Sequence, residues 1–425
     1  MMTSTETTGC YGARAVMTYR ILIYSDMQSA PWGGSEVLWS RLISRFSETI
    51  PFGLTCYSSS QTREIRKQSP SISTCLVPEF LAGHHQTRVK RVLCKITRNR
   101  SLRIGNAISL LAQKRFVDRF KPDVVFVSLP WPLAGRGLRT ILADPGVPYV
   151  CFLHSMAREY MASPPSRELI AFYRQAYRVF TTGQHSSQLL QEWLGIPLDN
   201  VLPMHNFVDC SVFHRPAESK PWPASGPRMV SVGRFSHEKG HDVLMGALAS
   251  MKDMPWTLDM VGDGPLRAET LASVQKLGLQ DRVRFLGQMD TGRIAEILRE
   301  SDIFVLPSRI EGMPLSLLEA MASGLACVAT DVGSIRELLI HNSSGMLVPP
   351  NNEKALQLAL QWLVSNRQEC VRLGPAAREA VVSQCDEGPF VAKILEVLQE
   401  AVALSSRQQP DAAIPASLSP VSNTE

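Results

Sequence analysis

The chain has 425 residues, more than one hydrophobic core ordinarily serves, so two domains of roughly 200 residues are expected. It is 44% hydrophobic and 20% charged with a formal net charge of +5, which excludes a disordered, fibrous or strongly polyanion-seeking chain. Its nine cysteines are scattered without a CxxC pair, which argues against a disulfide framework and for reduced thiols in a cytoplasm.

No apolar run reaches about 18 residues, so no membrane span is expected. Residues 1–19 are polar and lack a signal-peptide core, and read as a flexible extension with a second start at Met17. A first strand follows at Arg20–Ser25. Asp26–Glu36 (DMQSAPWGGSE) is a glycine loop leading into a helix, a strand–loop–helix cradle for an anion that contains Gly33 and Gly34. Further strands are expected at Leu54–Tyr57, Lys121–Ser128, Val147–Leu153 (ending at His154), Arg178–Thr182 and Val201–Leu202. Helical stretches alternate with them, so residues 20–216 read as one parallel, doubly wound sheet.

Between the second and third of these strands the charge is one-sided. Phe80–Val117 holds no Asp or Glu, while Arg88, Lys90, Arg91, Lys95, Arg98, Arg100 and Arg103 interleave with apolar residues. This pattern fits an anionic membrane surface or an acceptor, and equally a solvated basic helix. No nucleic-acid motif accompanies it, so no nucleic-acid partner is expected.

Residues 217–227 (AESKPWPASGP) carry the composition of a linker. A second alternating set follows over residues 228–388, with strands at Met229–Gly233, Thr257–Val261, Val283–Leu286, Ile303–Leu306, Ala326–Thr330 and Met346–Val348. A closing helix is expected at about 389–404, and a disordered Ser/Pro/Gln-rich tail at 405–425.

The chemistry concentrates in the second set. GRFSHEKG follows its first strand, so Gly233, Arg234 and Lys239 sit where a fork of N–H donors and an ammonium can hold a diphosphate. Val261-Gly-Asp-Gly-Pro265 follows the next strand; Gly262 and Gly264 let backbone approach a base or phosphate closely. It is not GxGxxG, and no acid follows at the spacing that a dinucleotide enzyme needs. Pro307–Glu319 (PSRIEGMPLSLLE) is strand end, glycine loop and helix, with Pro314 at the helix start. Glu311 and Glu319 stand across that helix start with seven residues between them. A carboxylate binds sugar hydroxyls rather than phosphate, so the pair suggests a ligand with phosphate in the middle and sugar at both ends.

GGSE, GRFSHEKG, VGDGP and EGMPLSLLEAMASGLACVATDVGSIREL together resemble the retaining glycosyltransferases of family 4. The likeness covers Gly233 to about Pro350 closely and the first half only through GGSE, His154 and NFVD. It implies the GT-B fold: an α/β chain of two Rossmann-like domains facing across a cleft. It implies a UDP- or GDP-linked sugar donor on the second domain, and a glycan or lipid-linked acceptor on the first, in surface polysaccharide or glycolipid biosynthesis. Arg234 and Lys239 would hold the diphosphate and Glu319 the ribose. Glu311 would meet the transferred sugar with Gly312, Met313, Pro314 and Leu315. Gly33 and Gly34 would lie under the phosphates, and His154 would face the reacting sugar.

Neither a DxD pair nor a His/Cys cluster is present, so no metal or other cofactor is expected. Two departures stand out: Phe207 occupies the NFVD position where the family carries Gly, and the basic segment is longer than the fold requires. The expected location is cytoplasmic, peripheral on the inner membrane face if the basic segment binds there. The alternatives are a nucleotide-sugar 2-epimerase of the same fold and a non-catalytic binding module.

Overall fold

A computed structural model describes residues 19–25, 40, 43, 52–56, 73–76, 114–134, 147–214 and 221–408. They build two parallel sheets. The first contains β1 (Ile21–Ser25), β2 (Phe52–Cys56), β3 (Ser73–Leu76), β4 (Val124–Leu129), β5 (Tyr149–Leu153), β6 (Arg178–Thr181) and β7 (Val201–Pro203). Their spatial order is β3-β2-β1-β4-β5-β6-β7. The second contains β8 (Arg228–Val232), β9 (Thr257–Val261), β10 (Val283–Gly287), β11 (Ile303–Leu306), β12 (Ala326–Thr330) and β13 (Met346–Val348), in the order β10-β9-β8-β11-β12-β13. Strand order therefore reverses between β1 and β4 and again between β8 and β11, the two places where such sheets open a ligand crevice.

The apolar runs explain why both sheets are buried on both faces. Along β1 and β4, Ile21, Ile23, Val124 and Phe126 turn to one side, where they pack with Phe390, Ile394 and Leu398. Leu22, Tyr24, Val125 and Val127 turn to the other, against Leu169 and Tyr173 of α1 (Arg167–Gln175) and Leu190 of α2 (Gln184–Leu194). In the second sheet, Leu258 and Met260 meet α3 (His241–Ala249). Val230 and Val261 face α5 (Thr291–Glu300), α6 (Leu315–Ala322) and α8 (Arg367–Gln384), beyond α4 (Arg267–Lys276) and α7 (Glu353–Ser365) in chain order.

Three local differences from expectation have physical reasons. β3, with the sequence STCL, has no branched apolar run to announce it and pairs at the sheet edge beside β2. The closing helix, α9, runs from Glu387 to Gln408 rather than ending near 404. Its apolar stripe covers the first sheet, although the chain reaches it from the second domain; Val208 pairs with Asp386 where the two crossings meet. Phe207 is buried against Phe390 of that helix at 4.9 Å between ring centroids, so the departure at NFVD adds a core contact to the crossing. Residues 1–18, the basic segment Arg88–Arg103 and residues 409–425 lie outside the described residues.

Candidate active site between the two sheets

The loops after β8 and β11 leave adjacent strands at the second switch point. Arg234 is exposed at the β8 end, and Lys239 closes a single 3-10 turn at His237–Lys239. The β11 loop brings Glu311 to it: Lys239 Nζ donates to Glu311 Oε1 at 2.6 Å, and Ser308 Oγ donates to the same oxygen at 2.6 Å. An ammonium has three donors, so this bond leaves Lys239 able to hold a phosphate oxygen as well.

Arg309 binds the two loops together. Its guanidinium grips Asp242 through Nη1 at 2.8 Å and Nη2 at 2.6 Å, and also reaches His237 O and Asn351 Oδ1. Its N–H donates to Glu238 O at 2.7 Å. The Lys239 and Glu311 loops therefore move as one unit, a link that residue spacing did not announce.

Gly312 and Met313 lead into α6. Pro314 is its N-cap rather than its first helical residue, with φ −73° and ψ 124°. Among the described residues, the N–H groups of Gly312, Met313, Leu315 and Ser316 have no hydrogen-bond partner, which leaves four donors at the positive end of a helix dipole. Glu319 follows one turn into α6, with no hydrogen bond to its carboxyl among the described residues. The residue is part-buried and keeps some accessible surface, and the burial of its surroundings pushes its pKa up to about 7. A desolvated acceptor without a partner is a group built for a hydroxyl-bearing ligand.

The close approach expected at Gly262 and Gly264 is present within the protein itself. A side chain at Gly262, φ +133°, would strike the carbonyl of Gly233, and one at Gly264 would meet Phe235 O at 2.5 Å. Phe235 N–H also donates to Asp263 O at 3.0 Å. Their closeness seats the Arg234 loop on its neighbour.

The first domain meets this loop at the end of β5. A side chain at Gly312 would strike the His154 carbonyl and lie 2.9 Å from Thr182 Oγ1; the close approach requires glycine there. His154 Nε2 lies 2.9 Å from Ser128 Oγ, and its ring packs on Phe152. Like Glu319 it keeps some surface, yet burial lowers its pKa to about 3, so the imidazole is neutral at physiological pH. It is thus a poor general acid; its Nδ1 has no partner among the described residues. Asn206 of NFVD donates to Met313 O at 2.6 Å. Tyr160 was not anticipated: its phenol pKa is raised first by burial, against a lowering hydrogen bond with Ser155, and further by the charges of Glu238, Glu159 and Glu311. Gly33 and Gly34 lie outside the described residues.

Comparison with known proteins agrees with this geometry. The family model for Glycosyltransferase Family 4 matches residues 32–212, and that for Glycosyl transferases group 1 matches residues 215–380. The N-acetyl-alpha-D-glucosaminyl L-malate synthase of Bacillus anthracis is 30% identical over 290 residues, 67% of this chain and 74% of that protein. The amylovoran biosynthesis glycosyltransferase AmsK of Erwinia amylovora is 32% identical over 40% of this chain and 44% of its own. Among solved structures, the sucrose-phosphate synthase of Thermosynechococcus elongatus superposes with TM-score 0.73 at 20% identity, covering 91% of this chain and 100% of that one. Anabaena HepE, solved with UDP-glucose, superposes with TM-score 0.68 at 18% identity over 90% and 100%.

Proposed function

The chain belongs to the group 1, family 4 glycosyltransferases, and from that premise we propose that it moves a sugar from a UDP- or GDP-linked donor to a glycan or lipid-linked acceptor with retention at the anomeric carbon. The observation that carries the reading is the meeting of Lys239 and Glu311 at 2.6 Å, beside four unpartnered N–H groups and the desolvated Glu319. One ligand uses all of them: a diphosphate between a ribose and a sugar. Relatives named for polysaccharide and lipopolysaccharide synthesis, such as the colanic acid glycosyltransferase WcaL of Escherichia coli, support the acceptor class.

In this reading the bond from the sugar C1 to the donor phosphate breaks, and the acceptor hydroxyl attacks C1 from the same face. The proton of that hydroxyl passes to the departing phosphate. Arg234, Lys239 and the α6 N–H groups face the phosphate as negative charge develops on it, which is where fixed positive groups accelerate a reaction most. Glu311 holds sugar hydroxyls near the carbon that becomes positive. Glu319 accepts from the ribose diol. His154, neutral and held by Ser128, contributes an uncharged donor or acceptor at the sugar end. The cations assigned to the phosphates belong to the protein, and the proposal gives a metal no role.

Peripheral attachment through Arg88–Arg103 is part of the proposal; among the described residues no helix is long and apolar enough to cross a membrane. The test of the whole is a panel of UDP, GDP and ADP and their sugars, read first as thermal stabilisation and then as donor turnover by mass spectrometry. A ligand bound only to the native state raises the melting temperature; no stabilisation by any member would sink the donor assignment.

A further inference from the structure

Helix α2 has no cap of its own. Its N-cap residue is Gly183, φ +108°, and no side chain of the same helix start accepts from its first N–H groups. A helix end of this kind needs an acceptor from elsewhere. It comes from the other domain: Glu337 Oε2 accepts from Gln184 N–H at 2.9 Å and Oε1 accepts from His185 N–H at 2.9 Å. His205 Nε2 lies 3.1 Å from Oε2. Burial works to raise the Glu337 pKa, but these bonds and that of Ser334 outweigh it and hold the carboxyl down at about 2.

The requirement for glycine at 183 belongs to the same contact. A side chain there would come within 2.5 Å of Ser334 Oγ and 2.7 Å of Glu337 Oε2. The segment that carries Glu337 is in turn bonded to the active-site loop, because Ser334 N–H donates to Gly312 O at 2.9 Å. On the first-domain side, Thr182 immediately precedes Gly183 and donates to His154 O at 3.3 Å. A short chain of bonds therefore runs from His154 through Thr182 and the α2 N-terminus to Glu337, Ser334 and Gly312.

We propose that Glu337 is a positioning residue for sugar transfer: by capping a helix of the opposite domain, it fixes the His154 strand end on the Glu311–Gly312 loop. The assignment rests on the transferase reading above. Glu337 touches none of the residues assigned to the diphosphate, so its removal should leave nucleotide affinity intact while misplacing the two walls of the sugar end. Misplacement on the ångström scale costs up to about 100-fold in rate.

The decisive variant is Glu337→Gln, which keeps the shape and replaces one acceptor oxygen by an NH2 that faces a donor. Hydrogen exchange of the full-length protein should be at least tenfold faster at Gln184 and His185 (about 1.4 kcal/mol for each tenfold), and faster also at His154 and Ser334, whose N–H groups donate to Leu129 O and Gly312 O. Dissociation constants for UDP and GDP should stay within twofold of wild type, while kcat with the donor found in the panel falls roughly 10- to 100-fold. Glu337→Asp, one methylene shorter, should recover part of both effects. Faster exchange confined to residues 184–186 with wild-type kcat would overturn the proposal, as would a loss of nucleotide affinity matching the loss of kcat. Should no nucleotide bind the wild-type protein, the transferase reading fails by itself; exchange at His154 and Ser334 still decides whether Glu337 couples the two walls.

Discussion

Glu319 should make the protein less stable than it would be without that charge, and the effect should depend on pH. Its carboxyl has a pKa of about 7 in the folded chain against 4.5 as the ordinary value, with burial as the cause. The native state then holds the proton more tightly than the unfolded state. Below about pH 4.5 both states are protonated and the group contributes nothing. Between 4.5 and 7 the unfolded state releases the proton first, so stability falls as pH rises, and above 7 the cost is complete. At about 1.4 kcal/mol per pKa unit, the displacement from 4.5 to about 7 amounts to about 3 kcal/mol at most.

Glu319→Gln removes that cost and keeps the shape. Differential scanning fluorimetry should show no gain at pH 4.5 and a gain growing through pH 6 and 7 to its maximum near pH 8. For a domain of this size the maximum corresponds to roughly 6–12 °C, at about 2–4 °C for each kcal/mol. The same variant should bind nucleotide roughly 10- to 100-fold more weakly, because an amide oxygen cannot replace a carboxylate that accepts both hydroxyls of a diol, a difference of about 1.5–3 kcal/mol. Equal melting shifts at pH 5 and pH 8, or a variant less stable than wild type at pH 8, would refute the reasoning. Tighter nucleotide binding would refute the role.

Other outcomes follow from the same site. Glu311→Gln and Lys239→Ala should each lower kcat/KM by about 100-fold or more with unchanged circular dichroism, and wild-type turnover in either would remove the assignment. Arg309→Ala should raise the donor KM about tenfold through loss of the grip on Asp242, measured by initial rates; an unchanged KM would show that the two loops hold each other without it. His154 is neutral down to about pH 3, so the kcat profile should show no inflection near 6.5 that His154→Gln abolishes. That neutrality also makes His154 a source of acid instability: stability should fall as pH drops from 6.5 toward 3, less steeply in His154→Gln. Turnover should survive dialysis against EDTA, and its loss with recovery on added Mg2+ or Mn2+ would restore a metal to the mechanism. Neutralising Arg98, Arg100 and Arg103 should reduce sedimentation with anionic liposomes, and unchanged sedimentation would end the membrane reading.

The parts of the fold legible in the sequence are those that local patterning controls. The runs TLDMV, IFVL and ACVAT have the bounds expected of them because a buried parallel strand is a continuous apolar stretch ended by glycine or a polar turn. STCL lacks that signature, and its pairing with β2 is a tertiary choice. Lys239 and Glu311 were legible as candidate site residues because their spacings sit within motifs of a recognisable family, although their bond joins positions 72 apart. Glu337 lies in a quoted motif, SIREL, yet nothing singled it out. Its partners are mainly backbone N–H groups of another domain, and backbone partners leave no trace in residue identity. The glycines of VGDGP show the converse: their need for closeness was legible, but not which backbone they approach.

These placements divide the work between the domains unequally. In the proposed assignment the nucleotide end lies inside the second domain, on loops that leave neighbouring strands and are tied together by Arg309. The proposed sugar end is shared: Glu311 and Gly312 come from one domain, His154 and Thr182 from the other, and Asn206 and Glu337 bind across. Changes in the first domain should therefore act on turnover and acceptor use, while changes in the Lys239 and Arg309 loops should act on donor binding. On the proposed assignment the acceptor side can diverge without loss of the donor site, because the bonds among Lys239, Glu311, Arg309 and Asp242 all lie within the second domain.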